Sequence, residues 1–168
     1  MRKSVLLFGG CLAGLLVGSA FVAYPRAQVE VDRIVTRVNG RIITQSDIRQ
    51  ARMLKLVDDS ASDEATKRAL ENRLLILAEL NRASPLAPAS EADINARRSE
   101  WRNALGGNPD DVLGKTAMSE SELQGWMRDD LRIRGYMKRQ FGMLPDADRA
   151  RATSDWLARL RQRADLPQ

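Results

Sequence analysis

The chain has 168 residues, with 27 Lys plus Arg against 22 Asp plus Glu, no histidine and one cysteine, which is length enough for one domain with a real core. Without histidine there is no Ser/His/Asp or Cys/His nucleophile system and no imidazole metal site, and a single Cys builds neither a zinc cage nor an intramolecular disulfide. Arg2, Lys3 and Arg26 stand in a leader without acidic residues, which leaves 24 basic against 22 acidic groups from Gln28 onward; these interleave, which argues for solvated helix faces and no nucleic-acid partner.

Residues 1–27 read as an export signal: Arg2 and Lys3, an uncharged run from Val5 to Ala23, then Tyr24 and Pro25 as a break. Cleavage after Ala20, behind the small residues Gly18 and Ser19, or after Ala27 would release the remainder. The run's 19 residues also pass the roughly 18 at which a spanning helix becomes feasible. An uncleaved inner-membrane anchor is therefore the competing outcome, with membrane contact through Val5 to Ala23. In both cases the leading positive charges stay in the cytoplasm and residues 28–168 are exported as one domain. Cys11 follows Phe8, Gly9 and Gly10, a poor lipidation site. The Gly10, Gly14, Gly18 spacing fits a helix-dimer face, but glycines are common in signal regions too.

Residues 28–44 carry the strand signal. Val29, Val31, Ile34, Val35 and Val38 precede Asn39-Gly40, and Arg41, Ile42 and Ile43 follow. Asn-Gly between β-branched runs specifies a tight hairpin, because both turn residues must take positive φ. Thr44 then caps a first helix with Asp47 three residues on, and Ile48, Met53, Leu54 and Val57 form a partial apolar stripe. Asp58, Asp59 and Ser60 end it. A second helix over 62–83 carries Leu70, Leu74, Leu77 and Ala78 at helical spacing, widened by Leu75, Ile76 and Leu80. So broad a face predicts a central helix covered on more than one side.

Pro85 and Pro88 break the chain, and Ser90 with Asp93 starts a third helix through Ile94 and Trp101 to Leu105, closed by Gly106-Gly107. Residues 108–117 form a connector, with one turn at 110–113. Ser119 with Glu122 forms a capping box for a fourth helix carrying Leu123, Trp126, Met127, Leu131, Ile133, Tyr136, Met137 and Phe141. Gly142 and Pro145 stop it. A fifth helix from Asp146 to about Ala164 completes a mainly α fold of five helices behind one hairpin.

Carboxylates are the plausible acid or base groups that remain. Asp58-Asp59, Asp110-Asp111 and Asp129-Asp130 are adjacent pairs, and adjacent helical residues point about 100° apart, which gives solvated or capping groups rather than facing acid and base. No calcium loop or phosphate-binding glycine loop is present in the sequence. Ser119 is explained by its cap. The sequence thus names no catalytic, cofactor-binding or metal residue, and no cofactor. Met53, Met127 and Met137, with Trp126 and Tyr136, are candidates to line a permissive apolar groove. Spacing alone does not separate them from core.

Val38-Asn39-Gly40-Arg41-Ile42-Ile43-Thr44-Gln45-Ser46-Asp47-Ile48 resembles the opening of the SurA-type periplasmic chaperones, where a V-N-G-x-x-I-T-x-S-D-I hairpin leads into the first helix. Residues 70–83, the start Ser90-Glu91-Ala92-Asp93-Ile94, the segment Asp130-Leu131-Arg132-Ile133 and the stretch from Trp156 to Ala164 resemble that family's later segments. The resemblance implies an orthogonal helical chaperone domain that holds unfolded or assembling envelope proteins in the periplasm. It departs from the family in two ways. Members that isomerise prolyl bonds insert parvulin modules where residues 141–146 join the helices directly, and their active sites use histidine. Isomerase activity is therefore not implied, and it ranks last among the readings. The family's closing segment continues as a strand returning to the hairpin, which the ending Leu166-Pro167-Gln168 puts in doubt. The expectation is a non-catalytic periplasmic chaperone-like module; the alternative is a membrane-tethered assembly or scaffold subunit dedicated to one partner complex.

Overall fold

The computed structural model describes residues 32–58, 61–82 and 88–167. The expectations for the leader, for Val29 and Val31, for Asp59 and Ser60 and for Pro85 lie outside the described residues. Within them the protein is mainly helical, with one antiparallel hairpin at the N-terminal side.

Strands β1 (Ile34–Val38) and β2 (Arg41–Thr44) meet at Asn39 (φ 48°) and Gly40 (φ 81°). Two consecutive positive φ values are what a right-twisting two-residue turn demands. Val38 pairs with Arg41, Arg37 with Ile42, Thr36 with Ile43 and Ile34 with Thr44, so Val35 is an extra residue on β1. This bulge lets Val35 as well as Val38 pack on the core. Among the described residues the sheet has these two strands, and no third strand joins them.

Three helices begin with a reciprocal cap. The Thr44 hydroxyl accepts from the Asp47 N–H at 3.2 Å while the Asp47 carboxylate accepts from the Thr44 N–H at 2.8 Å, opening α1 (Gln45–Met53). Ser90 with Asp93 opens α3 (Glu91–Leu105), and Ser119 with Glu122 opens α5 (Glu120–Phe141). Each box satisfies two N–H groups that the first helical turn would otherwise leave without partners. Between α1 and α3 lies α2 (Asp63–Arg82), and α6 (Asp146–Arg163) follows α5. The connector expected to hold one turn forms the short helix α4 (Pro109–Gly114), whose first turn is capped by the Asn108 side chain. The described residues therefore contain six helices rather than five.

The first apolar stripe ends earlier than its spacing predicts. α1 stops at Met53, and Lys55 takes a positive φ of 46°. Leu54 and Leu56 are nevertheless buried in the turn, because α3 holds it from outside. The Trp101 indole N–H donates to the Leu54 carbonyl at 2.7 Å, and the Lys55 ammonium donates to the Ala104 carbonyl at 3.2 Å.

α2 is central, as its broad stripe predicts: the hairpin, α1, α5 and α6 all pack on it, and α3 packs on α5. The main core joins residues from every one of these elements, including Val38, Ile48, Leu75, Ile94, Leu123 and Leu160. A smaller cluster of Ile76, Leu80 and Tyr136 lies between α2 and α5, with Trp156 and Leu157 of α6 against it. The Trp156 ring lies 5.8 Å from Tyr136 and 5.7 Å from Phe141, centroid to centroid.

One charged pair lies inside this packing. Glu71 of α2 and Arg161 of α6 meet at 2.8 Å with side chains 2% and 5% exposed. Arg161 also donates to the Asn72 side chain at 3.0 Å and, from Nε and Nη2, to the Pro167 carbonyl at 2.8 and 2.6 Å. Removing one partner of such a pair strands a charge without water. Glu71→Gln, which keeps the shape, is expected to lower the unfolding free energy by about 3 kcal/mol or more, measured by urea denaturation. A loss of only a few tenths would mean that Arg161 is adequately solvated without the carboxylate.

Candidate functional site

The elements around α2 leave part of its face open. Between β2, α2 and α5 lies a depression of about 290 Å³ whose apolar wall is Ile42, Ile43, Leu70, Leu74, Leu77 and Trp126. Arg41, Arg73, Asp47, Glu122 and Asp129 add charged groups to it. Gly125 on α5 also lines it, and a Cβ placed there would meet no atom within 4 Å. The missing side chain at that position keeps the wall of α5 recessed beside Trp126. Ile42 on β2 is 44% exposed. A β-branched residue left so open at the mouth of an apolar depression is available for contact with another chain.

Arg73 ties the two helical walls together. Its guanidinium carbon lies 3.8 Å from the centroid of the Trp126 ring, and its Nη2 donates to the Trp126 carbonyl at 2.9 Å. On its other side Nη1 lies 3.8 Å from the Asp130 carboxylate. Burial pushes the Arg73 guanidinium down to about 10, against the opposing pull of Asp130 and Asp129. It remains a cation at neutral pH, fixed beneath an aromatic face, an arrangement that holds the Trp126 ring in one orientation.

The carboxylates divide by environment. Asp129 is paired with Arg132 at 3.0 Å, while its neighbour Asp130 points about a quarter-turn away, accepts from Arg97 and is ion-paired with Arg134, with only 18% exposure. The solvated reading of adjacent acids fits Asp110, which pairs with Arg102 at 2.6 Å while its side chain is 65% exposed. It does not fit Asp130. Glu122 is held below the ordinary glutamate range by the Ser119 backbone N–H and then by the Ser119 hydroxyl. Asp32 is lowered in the same way, by the Thr44 hydroxyl first and also by the Ser46 N–H, which donates at 3.1 Å. Tyr136 is raised by burial and by Glu79.

Of the five residues singled out from the sequence, Trp126 lines the depression. Met127 is 1% exposed in the main core, and Tyr136 is buried in the smaller cluster with Met137 packed against it. Met53 is exposed at the end of α1, outside the depression. The structure therefore does not bring the five into one surface. The residues that the sequence reading left out of the groove are Ile42 and the Leu70, Leu74, Leu77 edge of α2. The signal for the three leucines is the width of the α2 stripe, which exceeds what any one neighbour covers. Among the described residues no group of His, Cys, Asp and Glu is arranged to hold a metal ion, and no helix is long and apolar enough to cross a membrane.

No protein-family model, curated protein or solved structure matches the chain.

The Ser119 cap sits at the start of the helix that carries Trp126, so its pH response can be followed directly. A depressed carboxyl stabilises the fold fully above its unfolded pKa of about 4.3, and that contribution is lost as pH falls through the lower folded value. Ser119→Ala should move the Glu122 carboxyl upward, toward the ordinary value, in a carbon-detected NMR titration. It should also move the midpoint of acid unfolding to higher pH. An unchanged Glu122 titration would remove the hydroxyl from the account.

Proposed function

We propose that the chain is a non-catalytic binding module of the SurA N-terminal type, an orthogonal helical chaperone domain that holds unfolded or assembling envelope proteins. The observation that carries this reading is the apolar depression between β2, α2 and α5, edged by exposed Ile42 and half-buried Trp126. The hairpin passing directly into a capped α1 agrees with the segment order of the resemblance. The composition of residues 1–27 supports a module outside the inner membrane, in the periplasm, released or anchored.

An extended segment of a client would lay one or two apolar side chains into the depression and leave its backbone largely in water. Such contact is sequence-tolerant because Leu, Ile and Trp walls discriminate by size and apolarity rather than by hydrogen-bond pattern. No bond is made or broken and no nucleotide is consumed. Release follows from weak contacts that the client's own fold or its assembly partner outcompetes.

Gly125 provides a clean test. Gly125→Leu projects a side chain into open space at a position where replacing glycine also favours the helix by about 1 kcal/mol, so the variant should fold at least as well as the parent. The parent chain, in large molar excess as a weak single contact requires, should suppress aggregation of a diluted, urea-unfolded outer-membrane protein, followed by light scattering. Gly125→Leu and Ile42→Asp should lose most of that suppression while keeping the native circular-dichroism spectrum. Absence of suppression by the parent chain would overturn the reading, and full activity in Gly125→Leu would move the binding surface elsewhere.

A further inference from the structure

A second depression, of about 410 Å³, opens where the turn after α1 meets α2, α3 and α5. Four cations line it, Lys55, Arg73, Arg97 and Arg134, against two carboxylates, Asp58 and Asp130. Asp130 is the shared partner: Arg97 Nε lies 2.5 Å from it, Arg134 Nε 3.1 Å and Arg73 Nη1 3.8 Å. Three guanidinium groups bring about fifteen N–H donors, whereas one carboxylate offers about four acceptor sites. Glu100 reaches Arg97 at 3.6 Å and Arg134 at 3.8 Å, but its own side chain is 62% exposed. Asp129 adds its pull on Arg73 from outside this depression, so the excess of cation is that of the lining itself, four cations against two carboxylates.

Burial makes that excess consequential. Arg73 and Arg97 have side chains only 10% and 18% exposed, so water neutralises them poorly. Apart from Asn72 the rest of the wall is apolar. Leu56, Ile76 and Ile133 line the same depression, and hydrocarbon beside a guanidinium cluster matches a ligand with an anionic head and an apolar body. A planar carboxylate suits the fork geometry of arginine.

We propose that this depression binds a carboxylate carried on a short apolar group, with the anion at Arg97 and Arg134 and the hydrocarbon against Leu56, Ile76 and Ile133. The carboxylate comes either from a small aliphatic acid or from an acidic residue flanked by apolar ones in a polypeptide. Arg73 lines both depressions, but the anion site at Arg97 and Arg134 does not depend on the chaperone reading.

The test uses the full-length protein, labelled with ¹⁵N, and the arginine Nε–H resonances. Hexanoate should shift those of Arg97 and Arg134 saturably, and hexanamide, of like size without the charge, should bind at least about tenfold more weakly. Arg134→Gln, at a side chain 54% exposed, should weaken hexanoate by about tenfold. Arg151→Gln, which removes the same charge at an exposed position of α6, should leave it unchanged. Acetyl-Leu-Glu-Leu-amide and its Gln counterpart separate the sources. Glu-dependent binding at the same resonances assigns a polypeptide carboxylate, and response to hexanoate alone assigns a small acid. Equal binding of hexanoate and hexanamide, equal loss in the Arg134 and Arg151 variants, or no saturable shift overturns the proposal.

Discussion

The packing around α2 depends on a charged pair that contributes little by its mere existence. Glu71 and Arg161 are both nearly inaccessible, and taking two charges out of water costs about as much as their attraction returns. What makes the pair tolerable is complete satisfaction. Arg161 spends its donors on Glu71, Asn72 and the Pro167 carbonyl. Those partners can be met together only when α6 lies against α2 in one register and the chain beyond α6 folds back over it. Leu166, buried next to Pro167, then closes the main core. An apolar pair at the same two positions would pack α6 with less penalty and less specification of where it sits.

α2 is consequently committed on several sides, and this explains why the open depression lies where it does. The Leu75 side meets the main core and the Ile76 and Leu80 side meets the smaller cluster. The Leu70, Leu74, Leu77 edge is the part whose covering depends on the hairpin and on α5. The hairpin is only two strands wide, and α5 presents Gly125 at the contact. Neither fills the space. The depression is thus a consequence of two small features, a short sheet and one glycine, acting on a helix whose stripe is wider than its neighbours.

How much of this the sequence makes legible follows from the range of each interaction. The hairpin turn, the three capping boxes and the Gly106 stop are decided within four residues, and the structure has all of them. The groove is decided by contacts more than fifty residues apart, such as Arg73 to Trp126, which no local pattern encodes. Met127 and Trp126 illustrate the limit. They are consecutive on one apolar helix face, yet a rotation of about 100° puts Met127 in the core and leaves Trp126 at the rim. Asp129 and Asp130 separate by the same rotation, one facing Arg132 and one set among three arginines. Adjacent residues of one type on a helix carry one signal in sequence and two fates in the fold.

The size of the depression bears on how a module of this kind would work. Burying one or two client side chains yields about 2 to 5 kcal/mol, and ordering an extended segment subtracts from that, which leaves dissociation constants near the millimolar range or weaker for a single contact. A binder so weak holds a client only when several segments engage in turn or when many copies are present, since linked contacts raise the effective concentration. The same weakness lets a client depart once its own apolar residues find one another, because the fold buries far more surface than the groove can. On the proposed reading, an open, shallow wall of Ile, Leu and Trp would suit delaying aggregation better than selecting one partner, and a deep pocket at the same place would serve that task less well.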